Sequence, residues 1–207
     1  MITELKKRMM VWDSPIFLIH WILVFCFVVA LLTQESERYR LVHATTGYTM
    51  FGVVLFRFFW AMIGSKHTRL KNVFDRLLKS KKNILGFMDG EKEFLVGLNA
   101  VSFLSANILM LVLLVVAATG YMTLNEIGPS WLDEIHEFSA NCLISFVVIH
   151  VISVLSGVIY KVLLREPSYK ATVNETVSFF YSRKFSWVSL LVILSILIFW
   201  AHQFKLV

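Results

Sequence analysis

Five long apolar runs are the feature that most constrains the fold of this 207-residue chain. They cover about residues 15–33, 41–63, 99–122, 135–160 and 186–202. Each run is long enough to cross about 30 Å of hydrocarbon as a helix. A helix satisfies its own backbone hydrogen bonds in lipid, whereas an open sheet edge does not. The sequence therefore predicts an all-α, integral membrane helical bundle, with a four-helix core and a fifth transmembrane helix.

The Lys and Arg residues predict how the chain is oriented in the bilayer. Sixteen of the 20 lie in the N-terminal tail, the 64–93 connection and the 161–184 segment, all on one side of the predicted membrane. The opposite side has three, and Arg57 lies within a span. By the positive-inside rule, the N-terminus is cytoplasmic and the C-terminus faces outward. This one-sided distribution also explains the net charge of +6 without nucleic acid as a partner.

Four histidines lie within the apolar runs, and their predicted depths fall into two pairs. His136 and His150 are fourteen residues apart on one helix, so they share a face about 21 Å apart along its axis. His43 begins the second run, and His20 lies near the start of the first. The predicted topology then places His43 level with His136 near the outer surface, and His20 level with His150 near the inner surface.

Paired histidines at two depths predict two haem sites. Polar groups inside a membrane are costly and usually functional, although a single histidine there is more often a hydrogen-bonded packing residue. Facing helices of a bundle are where such cofactor sites are built. Two imidazoles saturate a haem iron, which favours electron transfer over gas binding. We therefore expect His20 and His150 to ligate an inner haem iron, and His43 and His136 an outer one.

Arg57 is the one charged side chain deep inside a predicted span. It follows His43 by fourteen residues, so it shares that face at the level of the inner haem. One interpretation makes it a cofactor-binding residue that pairs with the haem propionates. The other is an arginine whose guanidinium reaches the inner membrane interface. The sequence leaves both interpretations open.

Several motifs, in order along the chain, carry a family resemblance. They read VWDSPIFLIHW at 11–21, HATTGY at 43–48, WAMIGS at 60–65, TG at 119–120 and HEFSAN at 136–141, followed by His150-Val151. This set resembles the bacterial cytochrome b561 family, which includes the cytochrome b subunit of nickel–iron hydrogenases. The resemblance covers about residues 10–165. It implies a four-helix core with two haem b groups, ligated by the four histidines, that exchanges electrons with quinone.

The resemblance also implies a division of the chain and a location. Residues 1–165 would form the di-haem cytochrome b domain, and 166–207 a basic cytoplasmic connection with the fifth transmembrane helix. The chain would lie in the bacterial inner membrane as a multi-pass protein, with its C-terminus periplasmic. Family members often carry a Gly-His-Asn-Pro run entering the third span, whereas this chain has Gly97-Leu98-Asn99-Ala100. The residues of a quinone site, and any catalytic residue, therefore stay unassigned.

Three functions follow from these patterns. The first is an electron-transfer subunit, an oxidoreductase component of a respiratory chain, that links a periplasmic redox protein (a dehydrogenase or a cytochrome c) to membrane quinone. The second is a self-sufficient superoxide:quinone oxidoreductase. The third is a haem-free, histidine-lined metal-ion transporter, although such transporters gather their ligands near the midplane rather than at two levels. A homodimer stays open as an assembly.

The charge of the outer segments separates the first two functions. An anionic substrate such as superoxide is attracted by a positive entrance. The outer segments carry five acidic residues and only two basic ones near the spans: Glu35, Glu37, Glu126, Asp133 and Glu134 against Arg38 and Arg40. This negative balance favours docking of a basic redox protein.

Overall fold

The computed structural model describes residues 12–64, 70–90, 94–163, 181–182 and 185–205. Most of the basic connection predicted before the fifth span lies outside these residues. The described part contains six α-helices and one short pairing of two-residue strands. The helices are α1 (Ser14–Thr33), α2 (Arg40–Ile63), α3 (Leu70–Met88), α4 (Phe94–Leu124), α5 (Leu132–Leu163) and α6 (Ser186–Lys205).

All the helices except α3 are long and apolar enough to cross a membrane, which gives five candidate spans among the described residues. Each predicted apolar run corresponds to one of them. Large apolar side chains on these helices, such as Phe25, Leu32 and Ile198, are exposed. A soluble protein seldom exposes apolar surface on this scale, whereas lipid chains cover it without cost. The prediction of an all-α membrane helical bundle is confirmed.

Clear local signals set several helix boundaries. The Asp13 carboxylate accepts a hydrogen bond from the Ile16 amide at 3.2 Å and caps the start of α1. Pro15 follows in the first turn, where its missing N–H costs nothing. A 3-10 turn, Glu37–Tyr39, leads into α2. Gly90 follows α3 with a φ of +76°, a left-handed conformation that glycine adopts readily.

The chain divides into two compact units, and the first consists of residues 1–60 and 174–207. It contains α1, nearly all of α2, and α6. Strand β1 (Trp12–Asp13) pairs in parallel with β2 (Tyr181–Ser182), just before α6. The Ser14 and Ser189 hydroxyls share a buried hydrogen bond of 2.7 Å between α1 and α6. Trp200 Nε1 donates to Thr49 Oγ1 at 2.8 Å, so α6 also contacts α2.

The second unit consists of residues 61–173 and contains α3, α4 and α5. Helices α4 and α5 run antiparallel and pack along most of their length. Helix α3 packs on the first turns of α4. The fifth span, α6, is therefore grouped with α1 and α2 rather than with this unit. The sequence-based division at residue 165 stays a prediction.

Candidate functional site

Both histidines of α5 hydrogen-bond to α4. His136 Nδ1 lies 2.9 Å from the backbone carbonyl oxygen of Val116. The same nitrogen lies 3.3 Å from Thr119 Oγ1. The Thr119 hydroxyl is itself within hydrogen-bonding distance of carbonyl oxygens one turn earlier in α4, which fixes its position. His136 is thus oriented by a carbonyl and a hydroxyl from a single turn of the neighbouring helix.

His150 meets α4 in the same manner. Its Nδ1 lies 3.1 Å from the carbonyl oxygen of Ser102. It also lies 3.1 Å from Ser105 Oγ, whose hydroxyl donates back to the Ser102 carbonyl. Both imidazole rings are half-buried. The second unit therefore holds two histidine sites built from the same kinds of atoms.

The spacing of these sites is the same on both helices. On α4 the accepting carbonyl oxygens belong to Ser102 and Val116, and the hydroxyl groups belong to Ser105 and Thr119, so each type recurs after fourteen residues. Fourteen residues are close to four helical turns and rise about 21 Å. The interval matches that between the two histidines of α5. The α4–α5 pair thus presents two equivalent imidazoles at two depths.

These contacts fix the tautomer of three of the four histidines. A carbonyl oxygen can only accept a hydrogen bond, so an imidazole nitrogen beside it carries the proton. His43 Nδ1 lies 3.0 Å from the Ala30 carbonyl oxygen, as the Nδ1 atoms of His136 and His150 lie beside theirs. In that tautomer the lone pair of the ring is on Nε2, the atom that ligates a metal. Such a partner on the other nitrogen orients a ligating ring and raises its basicity.

Gly120 allows the close approach of α4 to the His136 ring. A Cβ added at Gly120 would lie 2.8 Å from His136 Cε1 and 3.1 Å from its Nδ1. The ring cannot retreat without losing its contacts with Val116 and Thr119. Gly120 is therefore part of what positions His136. The sequence showed a glycine at the outer end of this helix, but not the ring that it faces.

Two other glycines offer a simple test of whether a flat macrocycle fits beside these rings. Gly47 lies one turn after His43, and Gly157 lies two turns after His150. A Cβ added at either glycine would meet no atom within 4 Å. The backbone is therefore bare next to these histidines, as a haem lying against it requires. The donor set and the local backbone both fit haem ligation.

The two histidines of the first unit also lie at different depths. Helices α1 and α2 run antiparallel and are joined by hydrogen bonds at both ends, between Asp13 and Trp60 and between Ala30 and His43. This register places His43 level with Ala30, ten residues beyond His20. The depth difference is about 15 Å at 1.5 Å per residue. The His20 ring packs edge-on against Trp21, with centroids 5.6 Å apart.

Arg57 has an anionic neighbour that the sequence did not reveal. Asp13 is only 2% exposed, and its second carboxylate oxygen accepts a 3.2 Å hydrogen bond from Trp60 Nε1. The same carboxylate acts electrostatically on Arg57. The sequence identified Asp13 only as a helix cap, although Asp13 and Trp60 both lie in the motifs that carry the family resemblance. The positive charge of Arg57 is therefore partly offset within the first unit.

The structure divides the predicted ligand pairs between the two units. His20, His43 and Arg57 belong to the first unit, and His136 and His150 to the second. Within the described ranges, no group of three or more His, Cys, Asp or Glu residues is arranged to hold a metal ion. The pairing of His43 with His136 and of His20 with His150 stays a prediction.

Most of the chain matches the model of a known protein family. The family model of prokaryotic cytochrome b561 matches residues 11–165, a segment that contains α1 to α5, the four histidines and Arg57. This match confirms the resemblance of the sequence motifs. No curated protein and no solved structure matches the chain. Because the family model covers most of the chain, the chain belongs to the prokaryotic cytochrome b561 family. It is a membrane b-type cytochrome that binds haem b and takes part in electron transfer.

Proposed function

We propose that the chain is a di-haem cytochrome that carries electrons between a periplasmic redox protein and membrane quinone. The observation that carries this proposal is the fourteen-residue repeat of a carbonyl and a hydroxyl on α4, opposite His136 and His150. A single haem site would need only one such turn. The repetition supports two sites of the same kind, one near each membrane surface.

The ligands proposed for each haem are the histidine pairs that the sequence predicts. His43 and His136 ligate the outer haem, and His20 and His150 the inner one. The depth differences of about 15 Å in the first unit and about 21 Å in the second support two separate levels. When bound, haem supplies one-electron redox chemistry at its iron. The four imidazoles would hold the two haem irons, and the α4 groups orient His136 and His150 so that Nε2 would be the ligand atom.

Arg57 is proposed to face the propionates of the inner haem. Its register on α2 places it about four residues closer than His20 to the end of α1 where Asp13 lies. Asp13 supplies one negative charge there. A guanidinium has five donors, so it can interact with this carboxylate and still bind a propionate. The two anions together would compensate the cost of a cation inside a span.

The outer surface is proposed to dock a basic redox protein, a dehydrogenase or a cytochrome c. The five acidic residues that the sequence assigned to this surface are all exposed: Glu35, Glu37, Glu126, Asp133 and Glu134. Exposed charge of one sign steers a partner of the opposite sign. The same charge repels superoxide, so it does not favour a superoxide:quinone oxidoreductase. The positive-inside rule supports a cytoplasmic N-terminus and a periplasmic C-terminus in the inner membrane.

Haem stoichiometry and single-ligand variants test the proposal together. Purified protein should contain two haems per chain by the pyridine haemochrome assay, with low-spin spectra. His43→Ala and His136→Ala should each remove the same outer haem, and the double variant should lose no more than either single variant. His20→Ala and His150→Ala should remove the inner haem. The haem that remains in each variant provides the control for folding.

Two results would contradict this assignment. One haem per chain in fully loaded protein would exclude the second site. A redox titration in which His43→Ala removes the same haem as His150→Ala would refute the pairing by depth. Reoxidation of the dithionite-reduced protein by an added quinone tests the quinone link separately, since it does not depend on which histidines form a pair.

A further inference from the structure

Helix α3 is amphipathic, and only part of its apolar surface packs on α4. At 100° per residue, Leu77, Ser80 and Ile84 lie on one face, and all three are buried or half-buried. A second apolar group lies beside that face, within about 80° of arc. We call this group the α3 stripe; it consists of Phe74, Leu78, Leu85 and Met88, which are 62%, 51%, 51% and 75% exposed.

Two contacts hold α3 to the beginning of α4, so the direction of the stripe is fixed. The Phe87 ring sits against Gly97, where an added Cβ would lie 2.7 Å from the ring. The Arg76 guanidinium lies over the Phe103 ring, 4.1 Å from its centroid. Gly97 and Phe103 belong to the first ten residues of α4, whose candidate span begins at Val96. Helix α3 is therefore placed beside the end of a membrane span.

The chain's connectivity also keeps α3 at a membrane surface. It follows the candidate span that ends at Ile63 and precedes the one that begins at Val96. Two successive spans return the connecting segment to the side from which it started. Helix α3 itself has five basic residues, so it is too polar to span the hydrocarbon core.

Exposed lysines border the α3 stripe. Lys81 lies within its arc, Lys82 lies about 40° beyond the arc, and Lys79 lies about 100° beyond it on the polar face; all three side chains are exposed. Across the whole helix, five basic residues stand against the single acid Asp75. Lysine stems can lie along apolar surface while the ammonium groups reach the headgroups. This combination is typical of helices that lie in the interface of an anionic membrane.

We propose that α3 binds anionic phospholipid, with the α3 stripe inserted among the acyl chains and Lys79, Lys81 and Lys82 on the headgroup phosphates. The charge of the helix selects this partner, because a polybasic segment beside a span is attracted to anionic lipid and not to zwitterionic lipid. The bound lipid stabilises the position of α3. Through Phe87 and Arg76, α3 in turn stabilises the end of α4 that contains Ser102 and Ser105. The proposal does not depend on the number of haems.

Spin-label depth measurements on the full chain test the insertion. Cys26 and Cys142 are free thiols and are first replaced by serine, which leaves a background for single labels. In nanodiscs that contain phosphatidylglycerol, a label at Leu78→Cys should be more accessible to oxygen than to a water-soluble nickel chelate, as a label in the acyl region is. The matched control, Asp75→Cys on the polar face of the same helix, should stay aqueous. A Leu78 label that stays aqueous in those discs would overturn the proposal. That result is the one expected if the α3 stripe binds a soluble protein instead of lipid.

A charge variant tests the lipid preference. Lys79→Gln/Lys81→Gln/Lys82→Gln should lower the preference of the purified protein for phosphatidylglycerol over phosphatidylcholine about tenfold or more, measured by native mass spectrometry. The control replaces three cations elsewhere, Arg38, Arg40 and Lys205, by glutamine and should keep that preference. Equal preference in both triple variants would overturn the proposal. Haem spectra of both variants show that the fold is retained.

Discussion

The two histidine sites on α4 and α5 share their polar contacts and differ in their steric surroundings. Each imidazole has Nδ1 beside one carbonyl and one hydroxyl of α4. At His136, however, the α4 backbone approaches so closely that only a glycine, Gly120, leaves room for the ring. The comparison shows that the same kinds of contacts orient both imidazoles, whereas tolerance to substitution should differ between the two ends of the helix pair.

The largest expected difference concerns Gly120→Ala. The added methyl would lie 2.8 Å from the His136 ring, so the ring must move away from its α4 partners. Overpacking of this kind costs about 1–3 kcal/mol. We expect the outer haem to bind roughly tenfold to a hundredfold more weakly, since each 1.4 kcal/mol is a factor of ten. Haem titration of the apoprotein, followed by the Soret band, measures this loss.

The inner haem provides the internal reference for Gly120→Ala, because its affinity should not change. Gly52→Ala is a matched control, since Gly52 is exposed and an added Cβ there meets no atom within 4 Å. Equal weakening of both haems would show that the methyl disturbs the whole α4–α5 pair. The steric distinction between the two sites would then be wrong.

The fold was predictable from the sequence because the signal for a membrane span is direct. A run of about 20 apolar residues has few alternatives to a spanning helix, and the predicted runs agree with the helices to within about five residues at each end. The four histidines were recognisable as a set because polar groups in such runs are costly, and their role as haem ligands stays a prediction. The predicted levels of His136 and His150 need only the rise of one helix.

The hydrogen-bond partners of these histidines were not predicted, because they depend on how two helices align. Ser105 and Thr119 are fourteen residues apart, the same interval as His136 and His150, so the sequence contained a signal that could have identified them. It does not state which α4 residues face α5. The contact between Asp13 and Trp60, 47 residues apart, likewise requires the antiparallel register of α1 and α2.

Charge should distinguish the two proposed haem sites more weakly than steric contacts do, and Arg57 tests this. A unit charge roughly 10 Å from a haem contributes about 1.7 kcal/mol at an effective dielectric constant of about 20. That corresponds to about 70 mV for one electron, because 59 mV is a factor of ten. Asp13 offsets part of the charge of Arg57. We therefore expect Arg57→Gln to lower the potential of the inner haem by about 40 mV, since a positive charge favours the reduced form.

Two variants serve as controls for Arg57. Arg57→Lys keeps the charge and should leave both potentials nearly unchanged. Asp13→Asn keeps the cap of α1 but removes the negative charge, so it should shift the inner potential upward. If Arg57→Gln leaves both haems fully occupied and unshifted in a redox titration, Arg57 is not part of the inner site and its charge is met by Asp13 and the membrane interface.

The smallest expected effects come from the α4 hydroxyls, and they test the likeness of the two sites most closely. Ser105→Ala and Thr119→Val each remove one acceptor beside a histidine Nδ1 and leave the carbonyl in place. A weaker hydrogen bond from Nδ1–H makes the imidazole less electron-rich, so it stabilises ferric iron less. The loss of one such bond, about 0.5–1 kcal/mol, should raise the potential by about 20–40 mV. Ser105→Ala should move only the inner haem and Thr119→Val only the outer one, while Ser145→Ala, whose hydroxyl bonds within α5, should move neither. Redox titration resolves the two haems, and a shift of the same haem by both variants would disprove the correspondence between the repeated turns of α4 and the two histidines of α5.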